Sequence, residues 1–334
     1  MYFDIAMPSM LFIVVVVTMF LNGKVEKKLK ATFEKREFRV RDAILLVSAI
    51  SITVSFIVFI PQMGIMTMYL FAYSMLLFIF TYLFSDLPKF WARLFCTVFL
   101  TVSFVAGVAS LSNFGANGTV AYGALAFFSL SLLTIIALLY EQRRESTEER
   151  WYLAVLPPAL FVCLYLFFGK TSIWFPYLLD LYGIVFAVLI ILYLASLFTW
   201  KTTLFFVGLL TVVDIILVLF TGSMVSAASH VSDLRLPVLI SLPTIPAVVT
   251  EEGRLYMGLG LGDFFFAGLI AIQTFKKYSK NFAILSAIAM SASFFIFQAL
   301  ILTYDLRAFP GTLMIICGWL PLLLPKNLKK MVSG

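Results

Sequence analysis

Long apolar runs separated by short polar turns extend from one end of the chain to the other. A helix that crosses the roughly 30 Å hydrocarbon core of a bilayer needs about 17 to 25 apolar residues. The runs show no sustained alternation of apolar and polar residues, so they predict helices rather than the strands of a membrane barrel. The pattern predicts eleven membrane-spanning helices, near residues 5–22, 43–60, 65–84, 92–112, 119–140, 151–169, 173–199, 202–222, 256–274, 281–303 and 308–325.

The composition is typical of a membrane protein of the all-α class. Of the 334 residues, 62% are hydrophobic and 12% are charged, whereas roughly 25% of the residues of an ordinary soluble domain are charged. The three cysteines and one histidine lack the spacing of a metal site or a disulfide framework, so we expect no metal and no cofactor. A basic segment rather than a cleavage site follows the first apolar run, which we expect to remain as a helix.

The basic residues predict how this transmembrane bundle is oriented. Of the 24 Lys and Arg residues, 20 lie in loops of one parity, with the largest group between Lys24 and Arg41. Because cytoplasmic loops are enriched in Lys and Arg, we expect the N-terminus outside and the C-terminus in the cytoplasm. The same asymmetry accounts for the net charge of +7 without a nucleic-acid partner. We expect the basic loop to contact anionic lipid headgroups.

Three acidic residues fall inside predicted helices, namely Asp180, Asp214 and Asp263. A carboxylate at membrane depth costs about 2.5 to 3.5 kcal/mol on insertion scales, so each is a candidate for function. Asp214 and Asp263 lie on consecutive antiparallel helices at a similar predicted depth, where they could face each other and share a proton. A pair of this kind can activate water to attack a peptide bond, but buried acids also form the ion path of proton-coupled transporters. The spacing alone leaves both functions open.

A short motif that contains Asp263 resembles a motif of one protein family. Gly260-Leu261-Gly262-Asp263 is similar to the GxGD motif of the presenilin and signal peptide peptidase family of intramembrane aspartyl proteases. The resemblance implies that Asp263 and Asp214 are the catalytic pair, since Asp214 lies one long loop earlier, where the family's sixth helix carries its acid. Val213 stands where the family usually has Tyr. The resemblance favours a protease over a transporter.

The family's third signature, Pro-Ala-Leu, is met in part at the last predicted helix. Pro310 is present, but Gly311 and Thr312 follow it, and then Leu313. The resemblance makes this segment a candidate for substrate binding or active-site support, although Pro310 also suits the start of a helix.

Glycines next to Asp263 have two interpretations. Gly260 and Gly262 remove side-chain bulk, so a substrate backbone could approach closely. Gly258 and Gly262 also have the spacing of a helix-packing motif, so close contact between helices is an alternative reason for their presence.

The resemblance extends over roughly residues 65–325 and implies a nine-helix core preceded by two additional helices. We expect four segments: residues 1–64 with two additional helices and a basic loop, 65–222 with Asp214, a connecting loop at 223–255, and 256–334 with the GxGD motif. The implied substrates are transmembrane segments or signal-peptide-like sequences in the bilayer, with their N-termini in the cytoplasm.

Two further sets of residues are weaker candidates. Asp180 is expected at a depth similar to the other acids, where it lines a water path or bonds to Tyr177 or Tyr182 as a structural residue. The Pro-flanked apolar stretch that begins with Pro237, Val238 and Leu239 is too short to span the membrane. It could pair with an unwound substrate as a strand, or form an ordinary re-entrant loop.

Overall fold

The computed structural model describes residues 2–32, 37–60, 87–112, 118–144, 150–233, 235–250, 253–304, 306 and 308–332. Its helices are α1 Ala6–Thr32, α2 Val40–Phe59, α3 Lys89–Ser112, α4 Gly118–Arg144, α5 Leu156–Phe168, α6 Leu179–Leu197, α7 Trp200–Ile215, α8 Ser223–Asp233, α9 Leu261–Lys277, α10 Lys280–Tyr304 and α11 Gly311–Val332. Its strands are β1 Leu239–Pro243, β2 Val249–Thr250, β3 Gly253–Arg254 and β4 Tyr256–Gly260. A 3₁₀ turn precedes α5, and π turns at Trp174–Leu178 and Ile216–Phe220 flank α6 and α7.

The helices confirm a multi-pass membrane protein of the all-α class. Seven of the described helical segments are long and apolar enough to cross a membrane, and two shorter apolar helices accompany them. They correspond to nine of the eleven predicted spans, while the predicted span at residues 65–84 lies outside the described residues.

The predicted helix at residues 256–274 is wrong in its first turn. Residues Tyr256–Gly260 form strand β4, and the helix begins at Leu261. Glycine at positions 258 and 260 lowers helix propensity, and pairing with β1 provides partners for the backbone groups of this segment. The apolar composition predicted a helix for these five residues, where the structure has a strand.

The chain divides into two compact units, Met1–Ile65 with Pro176–Gly334, and Met66–Phe175. Within the larger unit α9 occupies the centre and packs against α1, α6, α7, α10 and α11. Every residue from Phe264 to Thr274 is buried, as expected of a helix that is apolar on all sides. Gly268 lies so close to α6 that an added Cβ would be 2.6 to 2.9 Å from the Ile191 side chain.

The two helices predicted as additions to the core belong to this same unit. Helix α1 packs against α6, α9 and α10, and α2 packs against α7 and α8. The unit that holds Asp214 and Asp263 therefore includes residues that the expected segment division kept apart. Helix α1 buries Met7, Leu11 and Val14 in the shared apolar core, which explains its place there.

The smaller unit contains α3, α4 and α5, with α4 packed against both of the others. Its buried acid Glu141 accepts hydrogen bonds from the Arg150 guanidinium at 2.6 Å and the Tyr152 hydroxyl at 2.7 Å. This charge is paired and hydrogen-bonded, as buried charges generally are, so it has a structural explanation.

Candidate active site

Asp214 is the last but one residue of α7, and a π turn at Ile216–Phe220 continues the helix. Short π segments within α-helices are frequent at functional sites. The Asp214 side chain is largely buried, and its Oδ2 accepts hydrogen bonds from both the backbone amide of Thr312 at 3.2 Å and the hydroxyl of Thr312 at 2.6 Å. The two donors hold one oxygen of the carboxylate in place.

Asp263 is the third residue of α9, directly after strand β4. Gly260, the cap residue of α9, lies next to the Asp263 carboxylate, since an added Cβ at Gly260 would be 3.4 Å from Oδ2. An acid in the first turn is also favoured by the unpaired amides and positive dipole end of a helix N-terminus. The position of Asp263 therefore depends on where β4 ends and α9 begins.

The segment Pro310–Thr312 brings the two acids to one place. Thr312 bonds to Asp214, while an added Cβ at the neighbouring Gly311 would lie 2.5 to 2.9 Å from the carboxylate atoms of Asp263. A side chain at this position would force the Asp263 carboxylate to move. Pro310 is buried and its carbonyl accepts from the amide of Met314, so it forms the first turn of α11.

Asp214 is close enough to Asp263 to act on it electrostatically. Two adjacent carboxyl groups can hold one proton between them and position a water molecule. Among the described residues no group of three or more His, Cys, Asp and Glu side chains could hold a metal ion.

Of the remaining residues of the two predicted motifs, Gly260 lies closest to a catalytic candidate in the contacts described. Gly260 lies beside it, since an added Cβ would be 3.4 Å from Oδ2 of Asp263, whereas an added Cβ at Gly262 would meet nothing within 4 Å. Leu313 is partly buried in α11, one residue beyond Thr312.

The Pro-flanked stretch forms a hairpin with the segment that leads into Asp263. Strand β1 pairs antiparallel with β4, with Leu239 opposite Gly260. The carbonyl of Val238 accepts from the amide of Leu261, which extends the pairing to the first residue of α9, and Pro237 is buried just before it. In the described part of the chain β4 has no strand on its second side. In the same described residues β1 likewise has no strand on its second side, and α6 packs against it. Pairing of this stretch with a substrate stays a prediction.

Asp180 contacts this hairpin rather than a tyrosine. Its Oδ1 accepts a hydrogen bond of 2.7 Å from the backbone amide of Ser241 in β1. One turn later, an added Cβ at Gly183 would lie 2.9 Å from the Ile240 side chain, so α6 and β1 are in close contact. The expected bond to Tyr177 or Tyr182 is replaced by a bond to the strand backbone, because β1 lies along α6.

Asp4 is a buried acid that the sequence pattern did not single out. It is fully buried and bonds to α1, to the hairpin connection and to α10. Asp4 precedes the first apolar run, so a search confined to predicted helices passes over it. Its position two residues before a helix start is a recognisable capping signal.

No protein-family model matches the chain, and comparison with curated proteins gives no match.

Proposed function

We propose that this protein is an intramembrane aspartyl protease that hydrolyses peptide bonds within transmembrane helices, with Asp214 and Asp263 as its catalytic residues. One observation supports the proposal above all others. Acids from two different helices meet the same short segment, where Thr312 bonds to Asp214 and Gly311 lies against Asp263. A paired arrangement of buried acids is costly in a membrane, so a catalytic use explains its presence.

The reaction requires two carboxyl groups in different protonation states. The ionised carboxylate takes a proton from a water molecule, which attacks the peptide carbonyl, while the protonated carboxyl group donates to that carbonyl oxygen. When the tetrahedral intermediate breaks down, the C–N bond cleaves and the leaving amine receives a proton. Because Thr312 occupies Oδ2 of Asp214, Oδ1 is the oxygen that we assign to water.

Substrate binding is assigned to the second side of strand β4. A helix cannot be cleaved while its carbonyls are bonded within their own turns, so the substrate must unwind near the acids. An unwound segment can pair with an unoccupied strand edge, as peptides do in β-augmentation. Strand β4 carries Gly258 and Gly260, which remove side-chain bulk beside this edge, and it runs directly into the helix of Asp263.

The partners in this proposal are transmembrane or signal-peptide-like segments that enter from the bilayer with their N-termini in the cytoplasm. No cofactor takes part in the reaction. Asp180 does not belong to the catalytic pair, since its carboxylate bonds to Ser241 of the hairpin.

The test is cleavage of a reporter transmembrane substrate by the purified protein in lipid vesicles. We expect Asp214→Asn and Asp263→Asn each to lower the cleavage rate by about a hundredfold to ten-thousandfold, the range of acid–base catalysis by one positioned group. Asp42→Asn is the matched control, because Asp42 accepts a bond from the Arg39 amide at the exposed start of α2. Equal cleavage by all four proteins would contradict the assignment. Proton uptake by vesicles without cleavage would favour the transporter.

A further inference from the structure

Asp4 is a buried acid that takes no part in the proposed chemistry. Its carboxylate accepts four hydrogen bonds, two of which come from the backbone amides of Ala6 at 2.9 Å and Met7 at 3.2 Å. Amides in the first turn of a helix have no acceptor within the helix, so these two bonds cap α1. The bonds from Ala6 and Met7 are sufficient to cap the helix, so the other two bonds of Asp4 need a separate explanation.

The other two bonds of Asp4 join separate parts of the chain. Oδ1 accepts from the amide of Ile245 at 2.8 Å, and Oδ2 accepts from the side-chain amide of Gln298 at 3.1 Å. Ile245 lies in the connection that follows β1, and Gln298 lies in α10. Ile245 is also held by its carbonyl, which accepts from the amide of Ile5 at 2.8 Å. One carboxylate thus links α1, the hairpin connection and α10.

A second acid holds the same hairpin at another point. Asp180 of α6 accepts from the amide of Ser241, in the middle of β1. Because Ser241 is paired in register with Gly258, a shift of β1 along its axis would also shift β4. Strand β4 ends at Gly260, which lies next to Asp263, since an added Cβ at Gly260 would be 3.4 Å from Oδ2 of Asp263. A shift of the hairpin would therefore also shift the start of α9, and with it Asp263 of the proposed catalytic pair.

We infer that Asp4 and Asp180 are positioning residues that hold the β1–β4 hairpin at two points and so determine which peptide bond of a paired substrate lies at the catalytic acids. The part of this inference that concerns the substrate rests on the proposed function. The two backbone tethers, which are the hydrogen bonds from Ile245 to Asp4 and from Ser241 to Asp180, do not depend on the proposed function.

The unpaired oxygen of Gln298 makes the role of Asp4 testable with a conservative variant. Gln298 is buried and its Oε1 has no hydrogen-bond partner among the described residues. In Asp4→Asn, Oδ1 still accepts from Ala6 and Ile245, and Gln298 can turn its amide so that Oε1 accepts from the new NH₂ group. The Met7 amide loses its acceptor, which weakens the cap of α1 but leaves the bond to Ile245 in place. In Asp4→Ala, the amides of Ile245 and Gln298 both lose their acceptor, which is unfavourable for buried donors.

The experiment combines hydrogen exchange with identification of cleavage positions, using the full chain in lipid nanodiscs. We expect Asp4→Ala to speed exchange at Ile245 about tenfold or more, to spread cleavage over neighbouring peptide bonds, and to raise KM more than it lowers kcat. Asp180→Ala should do the same with faster exchange at Ser241. Asp4→Asn should stay close to wild type. Asp42→Ala, which removes a capping acid remote from the hairpin contacts, should leave all these quantities unchanged.

Several outcomes would overturn the inference. Folded Asp4→Ala protein with wild-type exchange at Ile245 would show that the tether does not hold the hairpin. Faster exchange with unchanged cleavage positions and unchanged KM would remove the positioning role. If Asp4→Ala does not fold, Asp180→Ala decides, since it leaves the cap of α1 intact. If the wild-type protein cleaves no substrate, the proposed function fails, and the exchange rates alone decide whether the tethers exist.

Discussion

Thr312 contacts Asp214 through two donors on one oxygen, its backbone amide and its hydroxyl. The amide donor is present whatever the side chain, whereas the hydroxyl depends on this residue being Thr or Ser. The side chain therefore restricts how the Asp214 carboxylate rotates about its last bond. Orientation of a catalytic group to within a fraction of an ångström is a large part of acid–base catalysis.

Thr312→Val removes the hydroxyl while keeping the side-chain shape and the backbone amide. We expect the cleavage rate to fall about tenfold or more, because a hydrogen bond to a charged group contributes about 1.5 to 3 kcal/mol. Thr312→Ser keeps the hydroxyl and should retain most of the activity. The measurement is the cleavage rate of the reporter substrate, and similar losses in both variants would show that the methyl group, not the hydroxyl, matters.

Gly311 offers the sharpest steric test at the site. Gly311→Ala places a Cβ 2.5 to 2.9 Å from the Asp263 carboxylate, which must then move. We expect at least about a hundredfold slower cleavage, since misplacement by 1 Å can have an effect of that size. Gly208→Ala in α7 is the control, because its added Cβ meets nothing within 4 Å and Gly208 lies outside both predicted motifs. Full activity of Gly311→Ala would mean that Asp263 does not act from the observed position.

At the scale of elements, α9 is held to the end of α6 by a buried amide. The Gln273 side chain donates to the carbonyls of Ala195 at 3.0 Å and Phe198 at 2.7 Å. The last carbonyls of a helix have no partner within it, so Gln273 satisfies groups that would otherwise be buried and unpaired. This contact fixes the C-terminal half of α9, the helix that carries Asp263 in its first turn.

Gln273→Leu keeps an elongated side chain but leaves those two carbonyls without the donor. We expect the free energy of unfolding to fall by about 1 to 3 kcal/mol, the desolvation penalty of an unpaired buried polar group. Ser286→Ala serves as the control, because the Ser286 hydroxyl bonds only within its own helix, to the carbonyl of Phe282 at 2.8 Å. Unfolding in a denaturant series, with both variants in the same detergent, measures the difference. Equal losses would contradict the special role of Gln273.

The elements also show where prediction from sequence reached its limit. The periodicity of apolar runs correctly predicted most helices, since a run of that length has few alternatives in a bilayer. It failed at Tyr256–Gly260, where the partner that permits a strand is β1, which ends more than ten residues earlier in the chain. Pairing of this kind depends on a distant segment, so local composition cannot predict it.

At the scale of the whole molecule, the asymmetry of basic residues predicts an orientation that can be measured. In a variant without the three native cysteines, Ser232→Cys in α8 should react with a membrane-impermeant maleimide from outside intact cells. Glu37→Cys, in the basic loop, should react after permeabilisation only. The reverse pattern would place the proposed catalytic pair nearer the cytoplasmic face and require substrates of the opposite orientation.

Some properties of this protein follow from its sequence alone. Its apolar runs dictate membrane-spanning helices, because backbone groups in hydrocarbon must be satisfied within each segment. Charge placement isolated three acids, Asp180, Asp214 and Asp263, since an acid at membrane depth is rare and costly. The tertiary structure decided the rest: that α1 belongs beside the acids, that Gly311 and Thr312 contact them, and that Asp4 and Asp180 hold one hairpin. These contacts join residues far apart in the chain, and packing rather than local pattern determines them.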